Sequence, residues 1–129
     1  MKETVPTSII RIAAASMMLI HGCARALSNG VTPFAIFLQE HGFPGYLAIG
    51  ITALEIIAAL LIISRKFIIP LSIVFIIELV FGLILVHLKN GWFVVGGGQN
   101  GMEFSVLLIV CFISTILFEW VRNKNKIIN

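Results

Sequence analysis

Four long apolar runs decide what this chain can become. They cover about residues 9–27, 46–63, 67–88 and 102–121, and each is near the roughly 20 residues that cross a hydrocarbon core. Of the 129 residues, 59% are hydrophobic and only 12% are charged, about half the ~25% charge of a soluble domain. A soluble chain so poor in charge could not cover its core, whereas lipid accepts an apolar exterior. In lipid the backbone must satisfy its own hydrogen bonds, so the runs should be helices. They are too long and too continuously apolar for the alternating strands of a barrel. The expectation is an all-α integral membrane protein: a four-helix transmembrane bundle forming one domain over residues 1–129, with the bilayer as its first partner.

The first run also shares features with a signal peptide. Lys2 precedes it, and Ala24-Arg25-Ala26 has the small residues of a cleavage site. Arg11 within the run and His21 near the site fit that pattern poorly, so an uncleaved helix is expected.

The basic residues set the orientation. Lys2, Arg11, Arg65, Lys66, Arg122, Lys124 and Lys126 would share one side, and only Arg25 and Lys89 the other. The side richer in Lys and Arg is cytoplasmic. Both termini and the Ser64-Arg65-Lys66 turn are then inside, and two longer loops, 28–45 and 89–101, face out. The net charge of +3 is dispersed over segment ends, which suits membrane topology and not nucleic-acid binding.

The first outer loop should contain a short helix over residues 33–41. Thr32-Pro33 reads as a cap followed by a first helical residue, and His41-Gly42 as an end. Nine residues reach only about 13.5 Å, so this helix would lie in the interface as a lid.

Ionisable side chains inside a span cost about 2.5–3.5 kcal/mol each and need partners or a purpose. Counted from the outer ends of their helices, His21 lies about 10 Å deep, Arg25 about 4 Å, Glu55 about 13 Å and Glu78 about 15 Å. His87 and Glu103 sit near the outer mouth. Ala48, Thr52, Glu55 and Ala59 share one small-residue stripe that should face protein. Glu78 groups with Val74, Gly82 and Leu85, and Glu103 with Val110 and Ser114. His87 lies nine positions from Glu78, the opposite face at 100° per residue. Two readings stand side by side. His21 and Arg25 could neutralise Glu55 and Glu78 in a purely structural network. The same groups could instead form a site, His21 and Arg25 donating hydrogen bonds to quinone carbonyl oxygens while Glu55 or Glu78 exchanges protons. No spacing among these residues is diagnostic of a metal site, and none is expected.

Cys23 and Cys111 differ in depth by about 7 Å, which argues against a bridge, and neither has a CxxC partner. The glycine-rich stretch before Glu103 lacks the Gly-Lys-Ser/Thr of a phosphate loop. Trp92 and Phe93 suit an interfacial belt, and Glu103 suits a helix N-terminus.

Several of these features together resemble the DoxX family of membrane proteins. The first run carries His21-Gly22-x-x-Arg25, similar to that family's HGxxK/R pattern. Glu55 is followed by an Ala/Leu-rich half and the basic turn Arg65-Lys66. His87 is followed by Asn90-Gly91-Trp92-Phe93, by Gly96-Gly97-Gly98 and by Glu103, a stretch similar to the family's H-x-x-NGWF…GG…E. The family's Gly-x-Gly…Ser-x-Asp ending is absent; Ser114–Trp120 stands there, as in a divergent branch. The resemblance implies a four-helix, multi-pass protein of the inner (cytoplasmic) membrane, with relatives tied to sulfur-compound oxidation, quinone and thiol redox defence.

The resulting expectation is a redox-linked subunit that binds a quinone or similar lipophilic ligand. Glu55 and Glu78 would be its proton-exchanging residues, and His21, Arg25, His87, Trp92 and Glu103 its ligand contacts. The chain has no haem, flavin or iron–sulfur motif, so its electrons would need a soluble or membrane partner protein. The competing expectation is a non-enzymatic scaffold or assembly factor that docks a partner through its outer loops. A transporter of four helices would require a homo-oligomer.

Overall fold

The computed structural model describes residues 4–95 and 100–128. Lys2 and the Gly96-Gly97-Gly98 run lie outside the described residues. All regular structure described is helical. The elements are α1 (Val5–Leu27), α2 (Val31–Glu40), α3 (Leu47–Ile63), α4 (Ile68–Gly82) and α5 (Glu103–Ile128). After Gly82, α4 runs on through a π-helical turn, Leu83–His87, and a 3-10 turn, Leu88–Asn90.

Proline marks where helices start. Pro6, Pro33 and Pro70 fall in the first turns of α1, α2 and α4, where the missing N–H would have no helical partner anyway. Pro44 stands just before α3, and its carbonyl accepts from Leu47 N at 3.1 Å. α2 begins earlier than its proline suggests: Gly30, and not Thr32, is its N-cap, with no side-chain cap bond. α1 also begins well before the apolar run. Thr7 Oγ1 accepts from Thr4 N at 3.1 Å and donates to the Thr4 carbonyl at 2.9 Å, reproducing half of a capping box.

Three helices stop in the same way. Asn29, Gly42 and Arg65 follow α1, α2 and α3 with φ of 55°, 83° and 64°. In each case the next residue's N–H reaches back into the last turn: Gly30 to Arg25, Phe43 to Leu38 and Lys66 to Leu61, at 2.8–2.9 Å. These are left-handed Schellman caps. The cap at Arg65 makes the basic turn between α3 and α4 tight.

Three helical stretches are long and apolar enough to cross a membrane: Val5–Leu27, Ile68–Asn90 and Glu103–Ile127. α3 is a shorter apolar helix of 17 residues. Large apolar side chains stand exposed along them, among them Ile20, Ile57, Ile77, Ile84, Leu107 and Leu117. So much apolar surface is a liability in water and the natural exterior in lipid. The chain is a helical membrane protein.

Its contacts fall into two compact units, Ala15–Lys66 and Met1–Ala14 with Phe67–Asn129. In the unit Ala15–Lys66, α2 packs on α3. The stripe Ala48, Thr52, Glu55, Ala59 and Ile62 is buried, and its small residues let backbones approach. In the other unit α4 packs on α5. Phe75 meets Phe112 there at 5.3 Å between ring centres. The buried stripe of α5 is Ser105, Leu108, Phe112, Thr115 and Glu119, a 3,4 spacing along one face. Val110 and Ser114, which helical spacing groups with Glu103, are exposed. The seam of α5 thus lies on a different face from the one that carries Val110 and Ser114.

Candidate functional site

Within the unit Ala15–Lys66, Arg25 at the end of α1 meets Glu55 in the middle of α3. Nη1 donates to Oε2 and Nη2 to Oε1, both at 3.0 Å. Nη1 also donates to Thr52 Oγ1 at 3.3 Å, and Thr52 in turn donates to the Ala48 carbonyl at 2.7 Å. The side chain of Glu55 is 1% exposed and that of Arg25 13%. The two-point fork fixes the guanidinium plane as no lysine could.

Two neighbours make this geometry accessible. Gly22 sits where a Cβ would lie 3.0 Å from both Glu55 Cβ and Ile56 Cγ1, so glycine lets α1 approach the Glu55 turn. Phe34 of α2 lays its ring 4.2 Å from the Arg25 guanidinium carbon, a cation–π contact worth more when desolvated. The short helix therefore covers the ion pair. Phe34 is followed on the same helix by Phe37, whose ring lies 4.2 Å from that of His41.

An arginine has five N–H donors. Glu55 and Thr52 take three of them, which leaves Nε–H and one Nη2 hydrogen outside this network. These can donate to a carbonyl oxygen arriving beside Phe34. Glu55, with both oxygens engaged, serves as positioning counter-ion in this state. His21 lies one turn before Arg25 but is exposed. The offset of 40° between positions i and i+4 turns His21 outward, while the longer arginine reaches in.

Glu78, His87, Trp92 and Glu103 belong to the other unit. Glu78 is half-buried on α4. His87 ends the π turn, where i→i+5 bonding shifts the face, so uniform helical phase no longer gives its direction. Its Nδ1 donates to the Asn100 carbonyl at 2.7 Å. Asn90 Nδ2 donates to Val86 O at 3.0 Å. Across the loop, Met102 N donates to Gly91 O and Glu103 N to Trp92 O, both at 3.0 Å. Glu103 Oε1 accepts from Val94 N at 2.9 Å. Gly91 takes φ of 78°, and a Cβ on Gly101 would collide with the carbonyl oxygens of Trp92 and Phe93. His87, Asn90, Gly91, Gly101 and Glu103 thus form a clasp that closes the loop. The clasp leaves Trp92, Phe93 and Val95 exposed.

Cys23 and Cys111 are free and half-buried. Among the described residues no three His, Cys, Asp or Glu side chains are grouped as metal ligands. Arg11 and Glu119 are further buried charges that sequence reasoning missed, and Glu119 pairs with the half-buried Arg122. The 3,4 stripe through Ser105, Phe112 and Thr115 was the available signal, because its next position is Glu119. Comparisons with protein-family models, with curated proteins and with solved structures found no match for this chain.

Proposed function

We propose that the chain is a DoxX-like, multi-pass inner-membrane protein, crossing four times with both termini in the cytoplasm. In this reading it is a redox-linked subunit whose Arg25 receives the polar head of a quinone or similar lipophilic carbonyl compound. The observation that carries the proposal is the Arg25–Glu55 fork beneath Phe34. Buried charge inside an apolar helix is costly and by default functional. Here the cation is held flat, half-covered by an aromatic ring, with two donors outside the ion pair. The apolar body of the ligand enters from lipid, and its carbonyl oxygen accepts from Arg25. Glu55 positions the guanidinium. Electrons come from a partner protein.

A second reading, a scaffold that docks a partner through its outer loops, is favoured by a different observation. The loop clasp presents Trp92, Phe93 and Val95 on its outside. Mass spectrometry of what co-purifies in gentle detergent separates the two. The ligand reading expects a quinone-type lipid with the wild type and its loss in Arg25→Lys, which keeps the charge but not the fork. A folded Arg25→Lys protein that still retains the lipid overturns it. A protein partner without lipid, released by replacing residues 91–101, supports the scaffold.

A further inference from the structure

The guanidinium of Arg25 is planar, and its donors point outward along three edges of that plane. Glu55 takes the tip, through one hydrogen each of Nη1 and Nη2. Thr52 takes the second edge, through the other Nη1 hydrogen at 3.3 Å. The third edge carries Nε–H and the remaining Nη2 hydrogen. Nη2 lies on the Nε–H side of the group, so these two donors run parallel. Among the described residues none accepts from this edge.

Glu55 is 1% exposed and the Arg25 side chain 13%, so the pair is reached from the arginine. Phe34 covers one face of the plane, its ring centre 4.2 Å from Cζ. A ligand's acceptors therefore meet the arginine in the plane, at the third edge. Two parallel N–H donors are fully used by two adjacent oxygens, one each. A carboxylate has that shape, but the charge of the site opposes it. Glu55 already neutralises the guanidinium, and a second anion would enter a largely desolvated place with no cation left to pair with it. A neutral group with two oxygens on one edge meets both conditions.

We infer that the Arg25 edge selects, among quinones, a head that carries an ether oxygen beside its carbonyl, as a dimethoxybenzoquinone does. The inference rests on the quinone reading given above. The carbonyl oxygen accepts from one donor of the edge and the neighbouring methoxy oxygen from the other. Both oxygens lie in the plane of the ring, as both donors lie in the plane of the guanidinium. A benzoquinone with methyl in place of methoxy, or a naphthoquinone, brings only one oxygen to two donors. One of the two bonds is then poorly made.

The test compares ligands on the unaltered full-length protein, so it does not depend on a variant that folds. Binding of decyl-dimethoxybenzoquinone and of its dimethyl counterpart is measured in nanodiscs and corrected for uptake by empty nanodiscs. The dimethoxy compound should bind about fivefold more tightly, as expected for one net hydrogen bond. In Arg25→Lys, which has no such edge, the preference should vanish as binding weakens. Equal affinities in the wild type overturn the inference and leave the quinone reading standing. A preference undiminished in folded Arg25→Lys overturns the assignment to this edge. Decanoate displacing the dimethoxy compound more readily than the dimethyl compound does overturns the neutral head. Saturable binding of neither quinone overturns the quinone reading and this inference with it.

Discussion

Breaking the Arg25–Glu55 pair from one side should be far worse than removing it whole. Glu55 is 1% exposed, so Arg25→Met strands a carboxylate whose two oxygens both lose charge-assisted bonds. Glu55→Leu strands the guanidinium against Phe34 and Thr52 in turn. For buried pairs such single losses cost about 3–5 kcal/mol. The Arg25 side chain is 13% exposed and can rotate part of its charge toward water, so Glu55→Leu should sit at the lower end. The double variant Arg25→Met/Glu55→Leu leaves no charge behind. Thr52 keeps its bond to the Ala48 carbonyl, and Met and Leu fill much of the vacated volume. Its stability should lie within about 1–2 kcal/mol of wild type. Unfolding by denaturing detergent in mixed micelles, followed by tryptophan fluorescence, gives the four corners of the cycle. A coupling of several kcal/mol is expected. Additive losses, with the double variant as weak as the two singles summed, would refute the buried two-point pair.

The loop clasp gives two further outcomes. Gly101→Ala should open the loop at residues 91–95 to limited proteolysis, because the added Cβ collides with the carbonyl oxygens of Trp92 and Phe93, which cannot yield, at a cost of about 1–3 kcal/mol; an unchanged cleavage rate there would contradict the described contacts. Glu103→Gln keeps an acceptor for Val94 N and should leave hydrogen exchange at Val94 nearly unaltered, whereas Glu103→Ala should speed it. Similar exchange in both would show that the bond does not hold the loop. At the ion pair, Gly22→Val should lower the unfolding midpoint more than Ala53→Val at an exposed site of α3, since only the former meets Glu55 and Ile56.

Much of this fold is legible from apolar run length alone, because lipid leaves the backbone few choices. Helix ends are less so. The four residues from Val5 to Ser8 are helical although they precede the apolar run, since Thr4 and Thr7 bond to each other and Pro6 is harmless in a first turn. The small-residue stripe turns Glu55 toward protein, but its counted depth differs from that of Arg25 by about 9 Å, and the long arginine side chain is what joins the two. His21 does not follow Arg25, because one turn is not an integral number of residues and side-chain length decides which group reaches in. His87 could not be placed by uniform helical phase, because a π turn precedes it. His87 and Glu103 read as ligand contacts in sequence, yet each bonds loop backbone, which side-chain chemistry cannot distinguish from a ligand's polar groups. Arg11 reads from sequence as a topology residue and Glu119 carries no assigned role there; only the 3,4 spacing on α5 shows that Glu119 faces inward.

The ligand site is tested most directly by a photoreactive quinone analogue in nanodiscs, with the labelled peptides mapped by mass spectrometry. Labelling is predicted on Arg25 and its neighbours in α1 and on the Phe34 turn of α2, suppressed by unlabelled quinone and lost in Arg25→Met/Glu55→Leu. Labelling spread evenly over the lipid-facing positions Ile57, Ile84 and Leu107, or unchanged in the double variant, would contradict it.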